Sequence, residues 1–290
     1  MAERRAVLVI SSHVARGSVG NRAAVFALET LGFPVWAAPT VILPWHPGHG
    51  PATRIVPPPD QFRGFMQDLA RAPWRGELGA VLTGYLGDAS QAGAVADLVV
   101  ALRKDNPGLI HVCDPVIGDR TGLYVPEATA MAIRDRLLPL ADIATPNRFE
   151  LEWLAGRPLE TNADILRAAA QAGPARMLVT SAHAMMADAT ANLLVTGKRA
   201  LLAEHRLVEN APNGPGDLTA ALFLARLLIG EDESRALEKA TAAVFEVLGR
   251  SVRAGSDELL LEQEADSLKH PMAMVTLRQL ARPAPGRVKP

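Results

Sequence analysis

The sequence predicts an α/β fold, with a mostly parallel central sheet, helices on both faces and a small added hairpin. Three observations predict it. Short β-rich apolar runs alternate with helical periodicity almost from end to end, which is the pattern of strands joined by crossover helices. The runs are short and bounded by turn residues, as strands buried in a covered sheet are. At 290 residues and 49% apolar composition, the chain buries a core large enough for one sizeable domain, expected over residues 1–281.

The elements follow in order. Residues 6–10, 34–41, 78–83, 109–114, 143–145 and 177–181 read as buried strands. Helical periodicity fills the intervals at 21–31, 59–72, 89–104, 126–138 and 162–172. Residues 43–59 break the pattern with six prolines and two histidines, and read as a long surface loop suited to a lid. Two short alternating strands within 192–208 form the added hairpin, and the apolar segment 220–229 is a further helix. The tail 282–290, rich in Pro and Arg, is expected to be disordered.

Composition excludes several classes of partner. A net charge of −1 with interspersed signs leaves no basic face for nucleic acid or an anionic membrane, and points to a small ligand. The single cysteine, Cys113, excludes an internal disulfide and a Cys-based zinc site, as suits a reducing cytoplasm. No apolar run is long enough to span a bilayer, and the N-terminus lacks the apolar core of a signal peptide. Cys113 reads as a small buried hydrophobe, the four tryptophans as packing residues, with the role of Trp45 in the candidate lid left open, and Glu152 as a helix-surface residue.

In an open parallel sheet, ligands bind beyond the carboxyl ends of the strands, so the residues just after each strand carry the interest. Those are 11–13, 84–86, 114–119, 146–150 and Ser181. Asn213-Gly214-Pro215-Gly216-Asp217 runs straight into an apolar helix. Its glycines let backbone approach an anion, a helix start stabilises negative charge, and Asp217 is placed to take a proton. The plain alternative is a turn with an Asp cap. Asp114 and Asp119 follow one strand, and Asn147 and Glu150 stand three apart at the start of a helix after the next. Oxygen donors from adjacent strand ends suit a Mg²⁺ ion otherwise held by nucleotide phosphates and water; capping and a solvated face are the alternatives.

Taken together, these segments resemble the pyridoxal kinases of the ribokinase-like superfamily, over residues 7–275. The resemblance is carried by Ser12-His13-Val14 with Gly17 and Gly20-Asn21, Thr83-Gly84-Tyr85-Leu86-Gly87, the Asp114 to Asp119 loop, Thr145-Pro146-Asn147-Arg148-Phe149-Glu150, Val179-Thr180-Ser181 and Gly214-Pro215-Gly216-Asp217. It implies ATP-dependent phosphorylation of the 5′-hydroxyl of pyridoxal with Mg²⁺, and a homodimer; a K⁺ requirement stays open. By the resemblance Asp217 is the general base, and Gly214 and Gly216 frame the anion hole. Asp114, Asp119, Thr145, Asn147, Glu150, Thr180 and Ser181 face the nucleotide, with Asp119 and Glu150 toward the metal. Ser12, Val19, His46 and Tyr85 line the pyridine pocket.

The chain departs from the family at Pro215, which has no N–H to offer the anion hole, and at Pro47 and Gly48, where some members carry polar lid residues. Two rival readings follow: a hydroxymethylpyrimidine-type kinase, or a vitamin B6 binding protein that has lost turnover.

Overall fold

The computed structural model describes residues 4–197 and 199–281, so the C-terminal tail 282–290 lies outside the described residues. In chain order the elements are β1 (Ala6–Val14), α1 (Asn21–Thr30), β2 (Val35–Leu43), α2 (Pro59–Arg71), β3 (Leu78–Thr83), α3 (Ala89–Asp105), β4 (Ile110–Cys113), the two-residue strands β5 (Gly118–Asp119) and β6 (Gly122–Leu123), α4 (Glu127–Ala132), β7 (Ile143–Ala144), α5 (Arg148–Ala155), α6 (Asn162–Ala172), β8 (Arg176–Ala182), β9 (Ala189–Thr196), β10 (Ala200–Arg206), α7 (Pro215–Leu228), α8 (Glu233–Arg253), α9 (Ala265–Lys269) and β11 (Thr276–Gln279). Nine strands form one sheet in the order β11-β10-β9-β8-β7-β4-β3-β1-β2. Pairing is parallel from β2 across to β8 and antiparallel from β8 through β9 and β10 to β11. The expected hairpin is β9–β10, and the short β11 joins its outer edge.

Both faces of the sheet are covered, as β1 shows residue by residue. Val7 and Val9 point into a core shared with α1, α7 and α8, while Ala6, Leu8 and Ile10 point into one shared with α2 and α3. That alternation is the period-two geometry of a strand applied to two apolar faces. Helix α7 is buried along its length from Leu218 to Arg226, which explains why its sequence is apolar nearly all round.

Four expectations need correction. β1 runs on to Val14, because β2 extends to Leu43 and keeps pairing with it past an irregularity between Ser11 and His13. Its pairing with β3 ends at Ile10, and beyond it the Ser11 carbonyl accepts from Asn21 Nδ2 at 3.1 Å. The helix expected over 126–138 ends at Ala132 and widens into a π turn over Ile133–Leu137 and a 3₁₀ turn over Leu138–Leu140. Pro139 has no N–H to continue the ladder. Trp74 is 63% exposed and does not serve as packing, and Glu152 is half-buried, paired with Arg148 and accepting the Leu159 N–H.

Candidate active site

The carboxyl ends of β1, β3, β4, β7 and β8 and the starts of α1, α5 and α7 meet along one edge of the sheet. Asp217 stands in the first turn of α7, whose N-cap is Gly214 at φ 100°. Only glycine fits there, since a Cβ would lie 2.2 Å from the Ser18 carbonyl oxygen. No side chain caps this helix. The Pro215 carbonyl accepts from the Thr219 hydroxyl at 2.7 Å, tying the first turn to the next.

Asp217 is half-buried at the surface, and desolvation of its carboxylate pushes its pKa up to about 6 against hydrogen bonds from the Gly20 N–H and its own N–H. Gly20, at φ 55°, must also be glycine, because a Cβ would meet the Ser12 hydroxyl at 2.3 Å. Gly84 closes the third side. A Cβ there would reach Ser11 Oγ at 2.5 Å and stand 3.9 Å from Asp217 Oδ1. The Ser11 hydroxyl accepts the Tyr85 N–H at 3.1 Å. Gly214 and Gly20 thus let the Ser18 and Ser12 segments pack closely at the helix start, and Gly84 lets the end of β3 approach the carboxylate.

Asp114 extends the β4 ladder, its N–H donating to the Thr83 carbonyl at 2.8 Å. Its carboxyl accepts from the Thr145 hydroxyl at 3.0 Å. Burial raises the Asp114 pKa well above the carboxylate range, helped by the negative charges of Glu150 and Asp217 and opposed by the Thr145 bond. Glu150 is buried as well. Its Oε1 accepts the N–H groups of Ile117 at 2.8 Å and Gly118 at 3.3 Å, and its Oε2 accepts the Asn147 N–H at 2.8 Å. Asn147 returns the bond by accepting the Glu150 N–H at 2.9 Å, which completes a capping box on α5. Burial still raises Glu150 to about 7, since these bonds oppose the shift while the Asp217 charge adds to it. The capping and functional readings of Asn147 and Glu150 therefore coexist in one geometry.

Asp119 sits on the β5–β6 ribbon, where Thr121 donates to its Oδ1 through the N–H at 2.7 Å and the hydroxyl at 2.6 Å. Burial acts to raise its pKa but is outweighed by bonds from Thr121 and Tyr124, so Asp119 stays ionised. It shares with Glu150, Arg120 and Phe149 the wall of a cavity of about 270 Å³. Thr180 donates its N–H to the Pro146 carbonyl at 3.0 Å, and Ser181 adopts φ 55° at the end of β8. A larger hollow of about 410 Å³, lined by Asp232, Arg235 and Lys239, lies by the start of α8, beyond the far end of α7.

Among the expected pocket residues, Val19 and Tyr85 pack in one apolar cluster with Val14, Val41 and Leu43, and Ser12 lies against Gly20. His46 caps a short 3₁₀ turn over Pro47–His49, its Nδ1 accepting the Gly48 N–H at 3.0 Å. Burial lowers the His46 pKa, opposed by Glu258 and aided by His49. The turn reaches the α7 side, where a Cβ on Gly48 would lie 3.2 Å from Asn213 Nδ2. Cys113 is buried with its thiol pushed up to about 12 by burial, a packing residue as expected. Ser11, Gly20 and Gly84 went unassigned to roles from sequence, although each lies in or beside a quoted motif. Glu258 carried no sequence signal at all.

The oxygen-rich donor set matches a hard divalent cation. Among the described residues no three His, Cys, Asp or Glu side chains are grouped to hold a metal, and both Glu150 oxygens are engaged by N–H groups. The residues fit a Mg²⁺ carried largely by nucleotide phosphates and water, and do not form an all-protein cage.

The family model of the phosphomethylpyrimidine kinases matches residues 65–261. The chain is 41% identical over 265 residues to a pyridoxal kinase of Granulibacter bethesdensis, covering 88% of this chain and 92% of that one. It is 34% identical over 281 residues to a pyridoxal kinase of Corynebacterium diphtheriae, covering 95% and 99%. The solved pyridoxal kinase of Leishmania donovani in complex with ADP and pyridoxamine matches with a TM-score of 0.89 at 28% identity, over 96% of this chain and all of that one.

Proposed function

The chain belongs to the pyridoxal kinase family, and we infer that it transfers the γ-phosphoryl group of ATP to the 5′-hydroxyl of pyridoxal. The observation that carries this reading is Asp217, a half-buried carboxylate at a helix start without a side-chain cap, with Gly84 close beside it. With its pKa near 6, Asp217 is ionised at neutral pH yet close enough to it to act as an efficient base. It accepts the 5′-hydroxyl proton as the oxygen bonds to the γ-phosphorus and the bond to the β-phosphate bridging oxygen breaks, leaving ADP. The Gly216 N–H and the dipole of α7 stabilise the phosphoryl oxygens in flight.

We assign Asp114, Thr145, Asn147, Thr180 and Ser181 to the nucleotide side. Asp119 and Glu150 would hold a Mg²⁺ through its water shell, and the ion would neutralise phosphate charge. Ser12, Val19, His46 and Tyr85 are assigned to the pyridine side. Family membership also supports a homodimer, a cytoplasmic location and one folding unit over residues 1–281; light scattering on the purified protein checks the dimer.

The test is ATP turnover with each of pyridoxal, pyridoxine, pyridoxamine and hydroxymethylpyrimidine, with the phosphorylated product identified by mass. Pyridoxal 5′-phosphate formation is expected. Turnover with hydroxymethylpyrimidine alone would move the enzyme toward the other substrate class suggested by the family model, and pyridoxal binding without ATP consumption would make it a binding protein.

A further inference from the structure

Glu258 lies far from Asp217 in sequence and outside every motif, yet it is only 7% exposed and joins three segments around the site. Its Oε2 accepts the Ser18 N–H at 3.1 Å. Its Oε1 lies 2.9 Å from His49 Nε2, and the Arg16 guanidinium stands 3.6 Å away. Gly17, at φ 113°, leaves the room this requires, since a Cβ there would sit 2.5 Å from Glu258 Oε1. The segment is held in place by the Ser18 hydroxyl donating to the Leu259 carbonyl at 2.9 Å and by the Ser256 hydroxyl donating to the Glu258 carbonyl at 2.8 Å.

Each arm leads to the site. Ser18 packs its carbonyl on Gly214, the N-cap of α7, and two residues later Gly20 donates to Asp217. His49 belongs to the turn that carries His46 and touches Asn213 through Gly48. The neighbouring Arg16–Asp257 pair is exposed on both sides and contributes little by itself.

We propose that Glu258 is a positioning residue that latches the 45–50 turn, through His49, onto the wall formed by Ser18 and the start of α7, so that the closed pyridine pocket depends on it. The proposal rests on the pyridoxal kinase reading. The arm through His49 acts on the lid alone, and the arm through Ser18 acts on the wall that holds Asp217.

The experiment compares wild type, His49→Ala, His49→Gln, Glu258→Gln and the double variant His49→Ala/Glu258→Gln in pyridoxal KM and kcat at saturating ATP, with melting curves. Loss of one charge-assisted hydrogen bond should raise the KM of His49→Ala about 10-fold and leave kcat within about 2-fold. His49→Gln, which retains an N–H donor, should recover most of that KM. The double variant should have a KM no higher than the worse single variant, because the His49–Glu258 contact is already lost in either one. An unchanged KM in His49→Ala, additive KM changes in the double variant, or a fall in kcat alone with a lowered melting temperature would overturn the latch. Wild type is the control that keeps the two readings apart. If it fails to phosphorylate pyridoxal, the proposed function falls; if it turns over and the variants do not split as stated, only the latch does.

Discussion

Helices α5 and α7 both start at the same edge of the sheet, and both carry a desolvated carboxylate in the first turn, yet their ends are built in opposite ways. At α5, Asn147 and Glu150 cap each other, and Glu150 gathers three N–H groups from two loops. At α7 the cap is Gly214, no cap side chain bonds into the first turn, and Pro215 occupies the first helical position. A helix end whose donors are already matched fixes geometry; one whose donors are left unmatched beside a desolvated acid is prepared for an anion. The two carboxylates therefore differ in what their removal should do.

Replacing Asp217 with Asn gives the largest expected effect. It should lower kcat by about 10²–10⁴-fold, the range for a positioned general base, with no loss of stability at neutral pH. The pH behaviour sharpens this. Asp217 is raised from 3.8 to about 6 and Glu150 from 4.5 to about 7, so the folded protein holds these protons more tightly than the unfolded chain. Their stabilising contribution is full below the unfolded values and is lost as pH rises through about 6 to 7. The ligand-free protein should melt lower at about pH 8 than at about pH 5, by a difference on the order of 2 kcal/mol in stability, and Asp217→Asn should shrink that difference. The acid limb of kcat/KM should titrate near pH 6, a value shared by the coupled carboxylates and not by one alone. Near wild-type turnover in Asp217→Asn would reduce the residue to a cap.

At α5 the order reverses. Glu150→Gln keeps one acceptor oxygen but turns an NH₂ group toward N–H donors that have no other partner, which should cost about 1–3 kcal/mol of stability. It should also raise the Mg²⁺ concentration for half-maximal activity while leaving pyridoxal binding without nucleotide unchanged. Thermal melts and Mg²⁺ titrations read both effects. If Glu150→Gln melts with wild type and Asp217→Asn melts lower, the contrast between the two ends is wrong.

Most of this contrast is written in short-range sequence. The Asn147 and Glu150 spacing is a capping box on its face, and Gly214-Pro215-Gly216-Asp217 ahead of an apolar run marks a glycine-rich helix start with a carboxylate in its first turn. Strand β3 and helix α6 fall where alternation and periodicity put them, because each is bounded by its own turn residues. The end of β1 was not legible from its residues, since Ser11 to Val14 stay in the sheet only through pairing with β2. The four-residue edge strand β11, half exposed, has no apolar run to reveal it. Long-range closeness left the least trace. That Gly17 makes room for Glu258, and Gly84 for Ser11, depends on chain crossings that no local pattern encodes.

Pro215 tests the α7 end most finely, because it bears on how many donors the anion finds there. In the first turn Pro215 has no N–H and the Asp217 N–H is drawn to its own carboxylate, so Gly216 offers the donor least engaged elsewhere. Restoring an N–H with Pro215→Ala should raise kcat about 3-fold with little change in pyridoxal KM, since the added bond is strongest to the transferring phosphoryl group. The opposing effect is rigidity. Proline holds φ at the first helical position, and its loss costs about 0.4–1 kcal/mol of preorganisation in a turn whose neighbour Gly214 sits at φ 100°. The Thr219 hydroxyl still bonds the residue 215 carbonyl in the variant, which limits how far Asp217 can drift. The donor gain should therefore outweigh the loosening, with the melting temperature lowered slightly. Slower turnover at unchanged melting would instead mean that the proline ring is a fitted wall of the anion site and that the missing donor is no defect.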